Sequence, residues 1–290
     1  MTTSTLTLPG GTWTLGDTPV ARFGYGAMQL TGPWVLGEPA DRAGALAVLR
    51  EAVSHGINHI DTAETYGPRV ANNLIREALH PYGETLLIAT KVGGRRDANG
   101  GWPSARKPDE LRQQIQDNLE TLGVEALDLV HLRLGDANGP VPERISEAFQ
   151  TLVDLQDQGV IRHLGVSNAT AAQVSEAQSI APIVSVQNMY NLATRHDDQL
   201  IDQLAAEGVA YIPFFPLGGF TPLQSAALSS VVARLGSTPM SVALAWLLRR
   251  SPNILLIAGT SSAAHLRENI TGAGVELSES YLNELNSIAG

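Results

Sequence analysis

The chain has 290 residues, of which 43% are hydrophobic and 17% charged, with a formal net charge of −10 and no cysteine. A chain of that length can bury about three quarters of the surface it exposes when unfolded, and the composition is ordinary for a soluble globular protein. The cysteine count excludes disulfides, thiolate catalysis and cysteine-based metal sites, and the negative balance argues against non-specific nucleic-acid binding, which needs a basic face. Neither a secretory signal pattern nor a run of eighteen apolar residues is present, so no membrane contact is expected and a cytoplasmic location follows.

In chain order, the segment TLTLPGGTWTLGDTPV (5–20) alternates polar and apolar residues around Pro9-Gly10-Gly11 and reads as a β-hairpin. Eight apolar runs of strand length follow: RFGYGA (22–27), INHI (57–60), LLIAT (86–90), LDLVHL (127–132), IRHLGV (161–166), IVSVQ (183–187), VAYIPF (209–214) and ILLIA (254–258). Helical patterns lie between them, among them Arg42–His55, Asn72–His80, Pro108–Leu122, Pro142–Gln158, Ala171–Ile180, Asp197–Glu207 and Pro239–Arg250, with a last one near Ser278–Ile288. Several open with Pro in the first turn, as at Pro108 and Pro239. Several stop at glycine, as at Gly56, Gly123, Gly159 and Gly208.

Strands apolar on both faces, alternating with helices at a period of about 30–40 residues, indicate a parallel sheet covered by helices. Eight such units point to an α/β fold, a (β/α)8 TIM barrel, with the N-terminal hairpin plugging the barrel bottom. No linker or composition shift divides the chain, so residues 1–290 are expected to form one barrel domain. In a barrel of this kind the chemistry belongs to the loops after the strands. The long ones are 28–40, 92–107, 133–141 and 215–222, and the first two carry Trp34 and Trp102, which could wall a pocket for a flat substrate.

Three strands run into ionisable residues: HIDTAETYG (59–67), LLIATK (86–91) and DLVHLR (128–133). Together they bring Asp61, Tyr66, Lys91 and either His131 or Arg133 to one end of the barrel. Taken singly, an Asp after a strand is a turn former or cap, a Tyr a packing residue, and a Lys a solvated strand end. As a set they form a proton donor. An unperturbed tyrosine, with a pKa near 10, is too weak an acid at neutral pH. An adjacent ammonium stabilises its phenolate, and a carboxylate compensates the ammonium. A second constellation, Gly259-Thr260-Ser261-Ser262, stands between the last strand and a helix, where free N–H groups and the helix dipole favour an anion.

HIDTAETYG, IATK, LGVSN, VQNMYN, PFFPLGG and IAGTSSAAHLREN, in that order over nearly the whole chain, resemble the aldo-keto reductases. The resemblance implies a (β/α)8 barrel that binds NADPH/NADP+ in extended form and reduces a carbonyl with hydride from nicotinamide C4. This agrees with the incomplete glycine fingerprint GYGAMQ at 24–29. It also implies site roles. Tyr66 would be the proton donor, with Asp61 and Lys91 as its supports. Gly26, Met28 and Asp61 would lie against the cofactor, and Ser167, Asn168 and Gln187 would hydrogen-bond its carboxamide. Phe214 would stack on the nicotinamide, and Phe215, Pro216, Leu217 and Gly218 would line the pyrophosphate. Gly259, Thr260, Ser261 and His265 would surround the 2′-phosphate, and Glu268 with Asn269 the adenine.

The chain departs from that pattern in two places. Arg133 stands where the family has a catalytic histidine, while His131 points to the same face about 6–7 Å deeper. A guanidinium can polarise a carbonyl but does not give up a proton. Gly259 and His265 replace basic residues used against the 2′-phosphate, with Arg267 a candidate substitute. The strings GYGAMQLTGPWVLGEP, YGPRVANNLIREAL and HLRLG are most similar to a bacterial branch of the family that includes pyridoxal reductases. That likeness implies pyridoxal or another aromatic aldehyde as the small-molecule partner. The alternatives are an NADPH-binding sensing module without turnover and a Schiff-base lyase built on Lys91. No metal is expected, since the i,i+4 pair His55 and His59 is interrupted by Gly56, and a monomer is expected.

Overall fold

Short strands buried on both faces can satisfy their backbone groups only by pairing with one another, and the helix after each strand returns the chain to the same end of the sheet. The computed structural model, which describes residues 8–97, 100–136, 139–219 and 223–289, has this arrangement. A hairpin of β1 (Thr12–Leu15) and β2 (Thr18–Ala21) comes first. There follow β3 (Phe23–Gly26), α1 (Arg42–Ser54), β4 (His59–Asp61), α2 (Val70–Leu79), β5 (Leu87–Val92), α3 (Pro108–Leu122) and β6 (Leu127–Arg133). Next are α4 (Ser146–Asp157), β7 (Ile161–Ser167), α5 (Ala171–Ile180), β8 (Ser185–Gln187), α6 (Asp198–Ala206) and β9 (Ala210–Tyr211). The last are α7 (Ala226–Leu235), α8 (Pro239–Arg250), β10 (Leu256–Ile257), α9 (Ala263–Ala273) and α10 (Glu279–Asn286).

Strands β3 to β9 pair in sequence order and all in parallel, and β10 pairs with β3. A parallel bridge between Tyr211 and Ile254 closes the ring on its other side. The eight-stranded barrel is thus the architecture expected, with α7 added between β9 and α8.

The hairpin differs in detail from its expectation. Its turn lies at Gly16 and Asp17, where Gly16 has φ +67°, and not at Pro9-Gly10-Gly11. Glycine reaches that left-handed conformation without strain. Most of the first strand expected of the hairpin, residues 5–7, lies outside the described residues. Leu15 and Val20 pack on Leu87, Ala89, Leu129, Ala210, Ile212 and Leu255, the inward-facing residues of the lower barrel. The hairpin therefore plugs the bottom. Beside it the buried Arg22 guanidinium donates to the carbonyls of Gly10, Leu248, Ser251 and Ile254, joining β10 to the hairpin end. No single helix among the described residues is long and apolar enough to cross a membrane.

Candidate active site

Strands β4 and β5 are in register, with Asp61 opposite Ala89, so Lys91 stands one inward-facing position above Asp61 on the neighbouring strand. Lys91 Nζ lies 2.6 and 2.8 Å from the two Asp61 carboxylate oxygens and donates also to the Thr62 carbonyl at 3.0 Å. Both side chains are buried. Burial alone would push the Lys91 ammonium below its ordinary pKa, but the Asp61 carboxylate and then Tyr66 outweigh it and hold the pKa above that value. Tyr66 sits in the turn after β4, its N–H donating to Ala63 O, and its ring centre is 5.2 Å from Lys91 Nζ. The three residues read as a set in the sequence do meet in space.

His131 and Arg133 have different surroundings. His131 is in register with Lys91 on one side and Gly165 on the other. It is fully buried, and its Nε2 lies 2.8 Å from Ser185 Oγ, two strands away. Gly165 makes that contact possible: a Cβ there would stand 2.7 Å from the imidazole and 2.8 Å from Ser185. Burial, only partly offset by Asp61 and reinforced by Lys91 and His59, pulls the His131 pKa down to about 3, so the ring is neutral. Arg133 lies one position higher, paired with Ser167, half-buried, with Cζ 5.7 Å from the centre of the Trp102 ring.

Gln187 and Asn168 have roles that their sequence motifs did not reveal. Gln187 Nε2 donates to Asp61 Oδ2 at 2.8 Å, and Ser167 Oγ donates to Gln187 Oε1 at 3.4 Å. Asn168, with φ +57°, donates through Nδ2 to the carbonyls of Leu134 and Asp136 and so fastens the loop after β6.

Two further polar sets hold the site from behind. Thr62 and Thr90, next in chain to Asp61 and Lys91, both donate to buried asparagines, Thr62 to Asn72 on α2 and Thr90 to Asn118 on α3. Asn72 in turn donates to Asn118 and Thr121. On the other side Asn188 exchanges hydrogen bonds with the Ala169 backbone and donates to Asp197, which also accepts from Tyr211. An asparagine among the core-facing residues of an amphipathic helix was the one sequence signal for the first set.

At the mouth, Tyr66 and Trp102 meet edge to face at 6.4 Å and 79°. Arg96 Cζ lies 4.0 Å from the Trp102 ring centre, and its terminal nitrogens donate to the carbonyls of Gly100, Trp34 and Val35. Trp102 therefore lines the site. Trp34 is 77% exposed on a loop whose backbone Arg96 clasps, so its indole stands at the rim.

The remaining positions lie at the strand ends from β9 round through β10 to β3, which adjoins β4 with Gly26 opposite Asp61. Phe214 forms a bridge with Met189, its half-buried ring 5.2 Å from that of Phe215. Phe215, at φ +56°, starts a strap through Pro216, Leu217 and Gly218, anchored where Asn191 donates to the Phe215 carbonyl. Residues 220–222 of that loop lie outside the described residues. Gly26 and Gly259 bring the ends of β3 and β10 together: a Cβ on Gly259 would stand 2.5 Å from the Gly26 carbonyl. Met28 follows in a short 3-10 turn. Thr260 Oγ1 accepts from the Ser262 N–H, and Ser262 caps α9 by accepting from the His265 N–H. Ser261, His265 and Glu268 are exposed, and Asn269 is buried. Arg267 is held by Glu51 of α1, with Nε 2.6 Å from its carboxylate.

Three comparisons bear on this site. A sequence profile of the Aldo/keto reductase family matches residues 22–289. Pyridoxine 4-dehydrogenase of Escherichia coli (strain K12) is 55% identical over 284 residues, covering 97% of this chain and 99% of that protein. Among solved structures, a thermostable aldo-keto reductase in complex with the inhibitor epalrestat superposes with a TM-score of 0.80 at 28% identity, covering 96% of this chain and 99% of that one. An aldo-keto reductase from Klebsiella pneumoniae in complex with NADPH shares the fold at a TM-score of 0.78 and 24% identity, covering 96% of this chain and 94% of that one.

Proposed function

We propose, from the premise that this chain belongs to the aldo/keto reductase family, that it is an NADPH-dependent carbonyl reductase acting on an aromatic aldehyde, with pyridoxal as the candidate substrate. The observation that carries the reading is the buried Asp61–Lys91 pair against the ring of Tyr66, at the end of the barrel where such folds site their chemistry. The name of the Escherichia coli relative supports the substrate.

The strand ends from β9 round to β3 suit an extended dinucleotide. Phe214 offers a half-buried ring, the strap from Phe215 to Gly218 offers backbone, and Thr260, Ser261 and the capped start of α9 offer hydroxyls and a positive dipole end. His265 stands exposed beside them, and the Glu51 contact draws Arg267 away from the 2′-phosphate role. Ser167 and Gln187 flank the position for the carboxamide. When bound, NADPH supplies the hydride that reaches the carbonyl carbon.

The chain's own residues handle the oxygen. Tyr66 gives its hydroxyl proton to the carbonyl oxygen. The Lys91 ammonium compensates the negative charge left on the phenol oxygen, and Asp61 compensates the ammonium. Gln187 and the Thr62 carbonyl fix that pair in place. Arg133, at the mouth, is the electrophile facing the substrate oxygen, while His131 is buried below it against Ser185. Consumption of NADPH absorbance with pyridoxal or 4-nitrobenzaldehyde tests the reading, and no turnover across a broad aldehyde panel would remove it.

A further inference from the structure

The loop from Gly93 to Ala105 carries Arg96 and Trp102, and a surface loop keeps its side chains in place only if its base is fixed. Its two arms pair with each other: the Ala105 N–H donates to the Gly93 carbonyl, the Arg95 N–H to the Pro103 carbonyl, and Gly94 bridges Ser104. The base is closed by Gln114, a buried side chain on the core-facing side of α3. Its Oε1 accepts from the Gly93 N–H at 2.8 Å, and its Nε2 donates to the Ala105 carbonyl at 2.7 Å and to the Glu110 carbonyl of its own helix at 3.0 Å. One amide thus meets both ends of the loop, and an N–H on one side with a carbonyl on the other leaves it a single orientation. Gly93, at φ +108°, lies so close to β6 that a Cβ there would stand 2.6 Å from the Arg133 carbonyl. The same latch therefore stands behind the 6.4 Å between the Trp102 and Tyr66 rings and the 5.7 Å from Trp102 to the Arg133 guanidinium. Through Arg96 it reaches the backbone of Trp34 and Val35.

We propose that Gln114 is a positioning residue for substrate selection, holding Trp102 where the ring of an aromatic aldehyde packs. This rests on the carbonyl-reductase reading and names the side chain that turns the site toward aromatic and away from aliphatic aldehydes. An apolar side chain of the same length would fill the same space on α3 but leave the buried Gly93 N–H and the Ala105 carbonyl without their partner, so the base of the loop opens to reach water. Asp61, Lys91 and Tyr66 stand on β4, on β5 and in the turn after β4, and keep their places. The effect therefore falls on the binding of aromatic substrates and spares the proton transfer.

The test compares kcat/KM for 4-nitrobenzaldehyde and butanal with NADPH. In Gln114→Met the ratio of the two is expected to fall roughly three- to tenfold, the span of one aromatic contact. The change should lie in KM for the aromatic aldehyde, with kcat and NADPH fluorescence quenching as in the wild type. A loss of stability alone would lower both efficiencies together and leave the ratio unmoved. Gln114→Glu supplies a second readout. A protonated carboxyl offers one acceptor and one donor, as the amide does, whereas an ionised one only accepts. Its ratio should return toward the wild-type value as the pH is lowered, a dependence the wild-type ratio should lack. A wild-type ratio in Gln114→Met, or a Gln114→Glu ratio that stays at the Gln114→Met value at every pH, would overturn the proposal while leaving carbonyl reduction standing. If no aldehyde is reduced, carbonyl reduction itself fails, and quenching of tryptophan fluorescence by 4-nitrobenzaldehyde in the NADP+ complex still decides. Weaker binding to Gln114→Met than to the wild type supports the role of Gln114, and equal binding removes it.

Discussion

Gln187 reaches across the barrel to Asp61, its amide nitrogen 2.8 Å from Oδ2, so the carboxylate that holds Lys91 is itself held by a strand four places further along the ring. Gln187→Leu removes the only uncharged side chain donating to that carboxylate among the described residues. A hydrogen bond to a buried charge contributes about 1.5–3 kcal/mol, and urea denaturation of the variant is expected to show a loss of that size. Its kcat should fall with it. Unchanged stability would mean that the contact does not bear on Asp61.

Tyr66→Phe keeps the ring against Trp102 and removes the proton. Turnover is expected to fall at least about 100-fold, the usual range for a positioned general acid. NADPH fluorescence quenching should stay as in the wild type, since the substitution leaves the strap and the α9 start unaltered. A rate near that of the wild type would overturn Tyr66 as the donor.

Lys91→Met leaves a buried carboxylate without its cation. Breaking a buried pair from one side costs about 3–5 kcal/mol, which equilibrium unfolding should register. Asp61→Asn combined with Lys91→Met removes both charges and is expected to recover part of the loss. A double variant no more stable than the single one would show that the pair acts through packing.

His59 and His131 face the barrel interior, and burial lowers their pKa values to about 4 and about 3. In the unfolded chain each titrates near 6.5. As the pH falls from about 6.5 toward 4, the unfolded state takes up two protons that the folded state does not, and the native state loses about 1.4 kcal/mol per pH unit for each ring. Above pH 6.5 neither ring contributes a slope. His59→Gln should therefore flatten the decline of stability between pH 6 and pH 4.5 relative to the wild type, measured by denaturant titrations at each pH. An identical slope would show that His59 takes up its proton in the folded barrel.

Local signals were enough to read the barrel, because apolar runs of strand length recur in every unit, helix caps and glycine stops in several, and Asp61, Tyr66 and Lys91 sit at or just after strand ends. The helix α7 carries the same signals, with apolar residues at 228, 231, 232 and 235, Ser225 as its cap and Gly236 after it. It was nonetheless absent from the expected elements, hidden behind a long loop. The strand expected at 209–214 stops at Tyr211, and Pro213, which has no N–H to donate, follows two residues on. The bonds of Gln187 to Asp61 and of Arg267 to Glu51 join residues 126 and 216 positions apart, and only closure of the ring brings them together. The contact of His131 with Ser185 past Gly165 likewise joins strands two places apart, which no feature of DLVHLR discloses.

The ring closes where its staves are shortest. β9 and β10 have two residues each, and the Tyr211 N–H to Asn253 and the Leu255 N–H to Tyr211 hold that seam, whereas β6 and β7 stay paired from Leu127 to Arg133. The strap after β9 and the Gly259–Ser262 turn after β10 stand on the two sides of the seam. A dinucleotide lying between them would act as a hoop around the barrel, and amide exchange at Tyr211 and Leu255 would slow when it binds.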